Sequence, residues 1–340
     1  MDKELSDRWD VHVLGLERDA YRVSAANQRA ETSDVNSSDQ CRATYKELAL
    51  NAEDSLEDKV ESVIIDWLNE LPGKHVPSSL CMIGLHSCGD LSPVMMKLFL
   101  KSLRFRTLLL VSCCYHRMEW EEGTSGDHFP LSQALKKVID VTSDGAVPFN
   151  QEEGIQQLLR LAAQETPKHW LQQHAVNHRR QAQHTFYRAV FQLYSFQGSI
   201  SINALLLLTD MTYVCLYLFF SEGIQLLKQQ RRPVRKDGIS DCFSDYIDQA
   251  LVGFGLQGDD ARHRQNLMDI YSRNSYLVKS LETLIVLQVL LQPVAEALVL
   301  IDRLFYLRDS ETCDVSLRQV FDDRISPRCF VTIAEKILDC

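Results

Sequence analysis

Basic charge is in short supply in this chain: 36 Lys and Arg stand against 46 Asp and Glu among 340 residues, a formal net charge of -10. That deficit argues against a protein that grips nucleic acid by charge alone, because phosphate binding needs a net positive face. One local exception, Arg231-Arg232-Pro233-Val234-Arg235-Lys236, reads as a solvated linker. The ten cysteines show no repeated short spacing of the zinc-ribbon kind. No basic-then-apolar leader opens the sequence either, since Met1 runs into Asp2, Lys3 and Glu4. The cysteines are therefore expected to be reduced thiols in a cytoplasmic or nuclear protein, most of them small core hydrophobes. Repeats and low-complexity tracts are absent as well.

Uninterrupted apolar runs of membrane-spanning length are also missing. Ile202 to Phe220 comes nearest but carries Asp210, and Thr283 to Ile301 is broken by Gln288, Gln292, Pro293 and Glu296. A span needs about 20 apolar residues, and an acid at its middle costs several kcal/mol. Both segments are expected to be buried helices, with membrane association through 202–220 as the alternative. At 45% apolar and 24% charged residues the chain has a globular composition.

What is present is an α/β pattern. Val11 to Leu16 is a short β-rich run leading through Glu17-Arg18-Asp19 into a helix with Tyr21, Val23, Ala26 and Ala30. A strand that ends in an acid before a helix places Glu17 to accept hydrogen bonds from a ribose; the alternative is a charge suited to the helix dipole. Glu31 to Asp58 is polar and reads as a loop with one helical piece. Val60 to Leu71 is an amphipathic helix ended by Pro72-Gly73.

The most informative stretch is Cys81-Met-Ile-Gly-Leu-His-Ser-Cys-Gly-Asp-Leu-Ser-Pro93. A strand over 80–85 runs into His86, Cys88, Gly89 and Asp90, and a helix over 93–103 follows. A second strand, Leu108 to Val111, ends in Cys113-Cys114-Tyr115-His116. In open parallel sheets ligands bind at the carboxyl-terminal edge of the strands, and both polar clusters fall there. Asp90 and His116 are the candidate bases; the bland role for Asp90 is a helix N-cap beside Ser92 and Pro93. His86, Cys88, Cys113, Cys114 and His116 offer the ligand types of a zinc site, yet cysteines at strand ends more often line walls, and no metal is assigned. His174 and His178, four apart, lack a visible third ligand and read as a solvated face. Leu281 to Leu307 is one long helix with Pro293 inside, and Val315 to Phe321 and Cys329 to Ile333 are two late strands.

Several of these words together resemble the methyltransferase-like protein 25 family. They are Met82-Ile-Gly-Leu-His-Ser-Cys-Gly-Asp-Leu91, Cys113-Cys114-Tyr115-His116, Phe129-Pro130-Leu131, Phe186-Tyr-Arg-Ala-Val190, Leu300-Ile-Asp-Arg-Leu-Phe-Tyr-Leu307 and Ser326-Pro-Arg-Cys-Phe330. The resemblance implies a class I methyltransferase-like, Rossmann-type α/β fold and S-adenosylmethionine as cofactor, with the methyl acceptor (protein, RNA or small molecule) unspecified. It implies that Glu17 follows the second strand and holds the cofactor ribose. His86, Cys88, Gly89 and Asp90 then lie near the donor methyl group, and Cys113, Cys114, Tyr115 and His116 face the substrate. It also implies a last strand inserted antiparallel beside the fifth.

Two departures stand out. The first strand and its glycine-rich turn have no counterpart, so an N-terminally truncated core is expected, as in a truncated isoform, and this counts against activity of the chain itself. Ser112 stands where the family has glycine, and its Cβ is expected to narrow the site. The expected division is a partial α/β core over 1–145, a helical insertion or cap over 146–277, and a helix with closing strands over 278–340. A non-catalytic binding or regulatory module is the competing reading.

Overall fold

The computed structural model describes residue 5 and residues 11–33, 43–50, 55–71, 77, 79–118, 128–142, 152–197, 241–254 and 260–337. The apolar run 202–220, the basic run 231–236, the acidic stretch 119–127 and most of 1–9 lie outside the described residues. In chain order come β1 (Val13–Glu17), α1 (Ala20–Ser33), β2 (Ala43–Glu47), α2 (Leu56–Glu70), β3 (Leu80–Ser87), α3 (Leu91–Lys101), β4 (Phe105–Ser112) and α4 (Gln133–Thr142). Helices α5 (Glu152–Ala162), α6 (Pro167–Gln172), α7 (Ala175–Gln197), α8 (Phe243–Phe254), α9 (Asp260–Asn274) and α10 (Val278–Arg308) follow, and then β5 (Cys313–Gln319) and β6 (Phe330–Lys336). Two compact units result, one of 1–138, 299–321 and 328–340, the other of 139–298 and 322–327.

In the first unit the strands make two sheets. β1 and β2 pair in parallel, and the larger sheet has the order β3-β4-β6-β5. β3 and β4 are parallel, joined through α3, while β6 runs antiparallel to both β4 and β5. The late insertion of an antiparallel strand beside β4 is the arrangement expected of a class I methyltransferase-like fold. No ladder joins the two sheets among the described residues.

The core beneath the larger sheet explains the strand assignments. Met82, Leu108, Leu110, Val315 and Ala334 bury alternate positions against Val94, Met95, Leu98 and Phe99 of α3 and Val60 and Ile64 of α2. Pro93 sits in the first turn of α3, where its missing N–H leaves no bond unmade.

β2 corrects the expectation of a loop with a helical piece over 31–58. Ala43-Thr-Tyr-Lys-Glu is too polar to announce a strand, and its stability comes from tertiary partners. The Asn27 amide donates to the Tyr45 carbonyl at 3.0 Å and accepts from the Tyr45 N–H at 2.9 Å, standing in for a neighbouring strand. A Cβ on Gly15 would lie 2.4 Å from the Tyr45 ring, so glycine is what lets Tyr45 lie across β1.

The second unit is helical. Trp170, Phe186, Tyr187, Val190, Phe243, Ile247 and Leu267 make its core with Leu281 and Ile285 from the first half of α10. The unit boundaries therefore differ from the expected division at 146 and 278: α10 contributes to the helical core as far as 298 and only then to the sheet unit. It runs unbroken through Pro293. By length and composition the helical run Ala261–Arg308 could cross a membrane. Gln292 and Glu296 within it are buried, Gln292 donating to the Ala162 carbonyl at 3.2 Å and to Glu296 at 2.7 Å. Val286, Leu287, Leu290, Leu291 and Val294 are exposed, so the expected buried helix over 283–301 is buried on one face only. His178 is likewise occupied, its Nε2 lying 3.1 Å from the Gln173 carbonyl and its ring edge-on to Trp170.

Asp302 anchors α4 in the sheet unit. Its buried carboxylate accepts from the Leu131 and Ser132 N–H groups at 2.8 and 2.9 Å and from the Ser132 hydroxyl at 2.7 Å. Removing a buried charged acceptor leaves its donors unsatisfied, so Asp302→Ala is expected to cost about 3–5 kcal/mol. A urea midpoint that is unchanged for this variant would contradict the role.

Candidate functional site

The carboxyl ends of β3 and β4 are brought level by their ladder, in which Gly84 opposes Leu110 and Ser87 opposes Ser112. One extra residue on the β3 side makes a bulge over Leu85 and His86, and bulges re-aim side chains at sheet rims. His86 is exposed there. Gly84 is needed at the bulge because a Cβ would meet Leu110 and Met95 carbons at 2.9 Å and the Ser87 hydroxyl at 2.3 Å.

After Ser87 the chain turns through Cys88 and Gly89. Gly89 has φ +56°, in the left-handed region, and a Cβ on it would lie 2.7 Å from the Arg117 carbonyl oxygen. The loop after β3 thus packs directly on the 3-10 turn Tyr115–Arg117 that follows β4. The two polar clusters share one rim.

Three sulfurs converge on that rim. Cys88 Sγ lies 2.9 Å from Cys113 Sγ, and Cys113 Sγ lies 3.7 Å from Cys114 Sγ. All three lie within 4.8 Å of one another, and neither His86 nor His116 joins them in that group. Burial pushes the Cys113 thiol well above the ordinary range, reinforced by its contact with Cys88 and by the charge of Cys114. Cys114 is raised for the same leading reason. Thiols held protonated at neutral pH are poor nucleophiles, which speaks against covalent cysteine chemistry there.

The other candidate residues separate in an informative way. Asp90 occupies the N-cap position of α3, but its carboxylate makes no capping bond. It lies 3.8 Å from His128 Nε2 instead. His128 escaped sequence reasoning because it stands next to an acidic loop; its place beside Phe129-Pro130-Leu131 was the available signal. At β1 the capping role falls to Asp19, whose Oδ1 accepts from the Tyr21 and Arg22 N–H groups at 2.9 and 3.1 Å. That leaves Glu17 at the strand end, where among the described residues its carboxylate meets its neighbour Asp19 N–H at 3.2 Å and Arg22 at 3.9 Å. Glu17 belongs to the smaller sheet and is not in the cysteine cluster. His116 is exposed on the turn.

Tyr115 departs from the expectation of a substrate-facing residue. It is buried, with the guanidinium groups of Arg303 and Arg328 at 5.1 and 5.5 Å from its ring centre. Such cation–π contacts strengthen when desolvated, so Tyr115 works as a peg under the turn. Ser112, buried at the end of β4, has no hydrogen-bond partner for its hydroxyl among the described residues. Shallow depressions elsewhere, one at Lys46, Asp66 and Glu70 and one at Tyr187, Cys242 and Tyr271, do not touch the rim.

A family model described as a methyltransferase domain matches residues 2–121, the span from before β1 through both rim loops. Probable methyltransferase-like protein 25 of Mus musculus is 28% identical over 265 residues, covering 75% of this chain. The protein of the same name from Homo sapiens matches at the same identity and extent. The chain is thus similar to methyltransferase-like protein 25 over three quarters of its length, and to a methyltransferase domain over residues 2–121. It spans 37% of the mouse relative and 36% of the human one, little more than a third of their length. No solved structure matches the chain significantly.

The rim makes a prediction about thiol reactivity in this methyltransferase-like chain. Cys242 is exposed, and hydrogen bonds from Ser244 lower its thiol below the ordinary value, opposite in direction to Cys113 and Cys114. A lower pKa gives more thiolate at a given pH, so iodoacetamide at pH 8 is expected to label Cys242 first. Labelling of Cys113 should keep accelerating as pH rises beyond 9. Equal rates at pH 8, read by peptide mass spectrometry, would contradict the electrostatics.

Proposed function

We propose that this chain binds S-adenosylmethionine across the rim of β3 and β4 and acts as a methyltransferase on an acceptor outside the chain. The observation that carries this reading is the parallel in-register pairing of the two strands, which sets the His86–Asp90 loop against the Cys113–Arg117 turn. The residues present suit such a ligand. Glu17 is a carboxylate released from capping duty and able to accept hydroxyl hydrogen bonds, and the buried Ser112 hydroxyl has no partner among the described residues. When bound, the cofactor supplies an electrophilic methyl group on a sulfonium.

The chain's own part is to bind, orient and move a proton. Loss of a proton from the acceptor needs a base at the rim, and Asp90 with His128 forms the pair best placed for it. His128 would take the proton while Asp90, 3.8 Å from its Nε2, orients the ring. The exposed His116 is the second candidate base. The half-buried wall of Cys88, Cys113 and Cys114 limits water on that side.

The competing reading, a non-catalytic binding or regulatory module, draws on one observation: among the described residues no strand bridges the β1-β2 sheet and the larger sheet. The two readings part in a simple assay. Saturating S-adenosylmethionine at about 100 times its dissociation constant should stabilise the chain by about 2.7 kcal/mol. Glu17→Ala should weaken binding about 10- to 100-fold through loss of charged hydrogen bonds. His128→Gln should lower radiolabelled methyl transfer into a cell lysate about 100-fold or more while leaving cofactor binding in place. No thermal shift at millimolar cofactor would favour the module.

A further inference from the structure

We propose that Cys88, Cys113 and Cys114 form a binding site for a thiophilic metal ion, with zinc as the ion of first choice. The sulfurs come from two loops whose positions are set by the β3–β4 ladder, and they converge without help from any flexible tail. Around one zinc ion, sulfurs about 2.3 Å from the metal at tetrahedral angles stand about 3.8 Å apart. The Cys113–Cys114 separation of 3.7 Å is close to that spacing, and all three sulfurs lie within 4.8 Å of one another. The Cys88–Cys113 separation of 2.9 Å is shorter and would have to open by about 0.9 Å. Small side-chain rotations would therefore complete the set.

A disulfide is the other chemistry open to such a cluster. Its S–S bond of about 2.03–2.05 Å joins two sulfurs and gives the third no role. Cys88 and Cys113 are not at bonding distance, and Cys114 stands beside Cys113 as a third donor. The arrangement thus favours a three-coordinate thiolate set over a bridge. The remaining free cysteines among the described residues do not gather in this way: Cys81 and Cys242 are exposed singly, and Cys313 and Cys329 are buried in the core.

Charge and access fit an ion as well. Cys88 and Cys114 are partly exposed, which leaves an ion a way in and water or another ligand a fourth position, while Cys113 lies deeper between them. Binding converts three thiols to thiolates and releases three protons to solvent. The resulting site carries one net negative charge, and the positive Arg117 acts on Cys114 from the same turn. The ladder and the Gly89–Arg117 packing hold the ligands before the metal arrives.

This site goes beyond methyl transfer and does not rest on it, so the test reads metal rather than activity. The full chain, purified under reducing conditions and freed of metal, is titrated with cobalt(II) and then with zinc(II). One cobalt ion per chain is expected, with the near-ultraviolet absorption of thiolate-to-cobalt charge transfer, and zinc is expected to displace it. Cys113→Ser should abolish that absorption and Cys81→Ser should leave it intact, both with far-ultraviolet circular dichroism unchanged. The wild-type spectrum alone decides the matter if a variant fails to fold. A folded, reduced chain that takes up neither ion, cobalt bound without sulfur charge transfer, or a native Cys88–Cys113 disulfide found by mass spectrometry would overturn the proposal. S-adenosylmethionine binding, measured separately on the same preparation, fails or succeeds independently of these outcomes.

Discussion

The parallel ladder between β3 and β4 governs where every reactive side chain of the rim stands. With Ser87 opposite Ser112, the residues that follow each strand begin at the same height, and Cys88 and Cys113 meet one step later. A single-residue slip would carry the cysteines to different faces, because strand side chains alternate with a period of two. The register is held by a buried apolar pattern on the core side, with Met82 and Leu110 among the residues packed there. Parallel pairs are stable when covered in this manner, here by α2 and α3 on the core side of the strands.

Support from a distant part of the sequence completes the rim. Asp302 and Arg303 are neighbours on α10, yet they serve different loops: Asp302 bonds the start of α4, and Arg303 lies over the Tyr115 ring. Arg328 approaches the same ring. Burying two guanidinium groups is costly unless their charge is compensated, and the face of an aromatic ring is one of the few apolar surfaces that attracts a cation. The words 300–307 and 326–330, far from that turn in the chain, thereby each supply an arginine to the ring of the 115–117 turn, while Asp302 of the first of them holds the 129–132 segment. Tyr115 is buried beneath the turn, while Cys113, Cys114 and His116 are at least partly exposed on it.

Much of this was legible from residues alone, and the failures have physical causes. β3, α3, β4 and the long α10 announced themselves by period and by apolar content, and the shared rim followed from strand-helix-strand order. β2 did not, because Tyr45 is held by the Asn27 side chain and by the space above Gly15, neither of which leaves a local pattern. Tyr115, placed on the substrate side by the resemblance, is buried against Arg303 and Arg328, since sequence adjacency says nothing about which way a turn residue points. The Asp90–His128 proximity joins positions in different elements, so no spacing rule could reveal it. The capping competition at α1 was open in the sequence, with Glu17 and Asp19 two residues apart, and only the hydrogen bonds assign it to Asp19.

The central claim, that the ends of β3 and β4 form one ligand-holding rim, is tested most directly by amide hydrogen exchange with and without S-adenosylmethionine. The account predicts slowed exchange in peptides covering 86–90 and 113–117 together, with the helical unit unaffected. Protection confined to the helical unit, or cofactor binding that leaves both rim peptides unchanged, would contradict it.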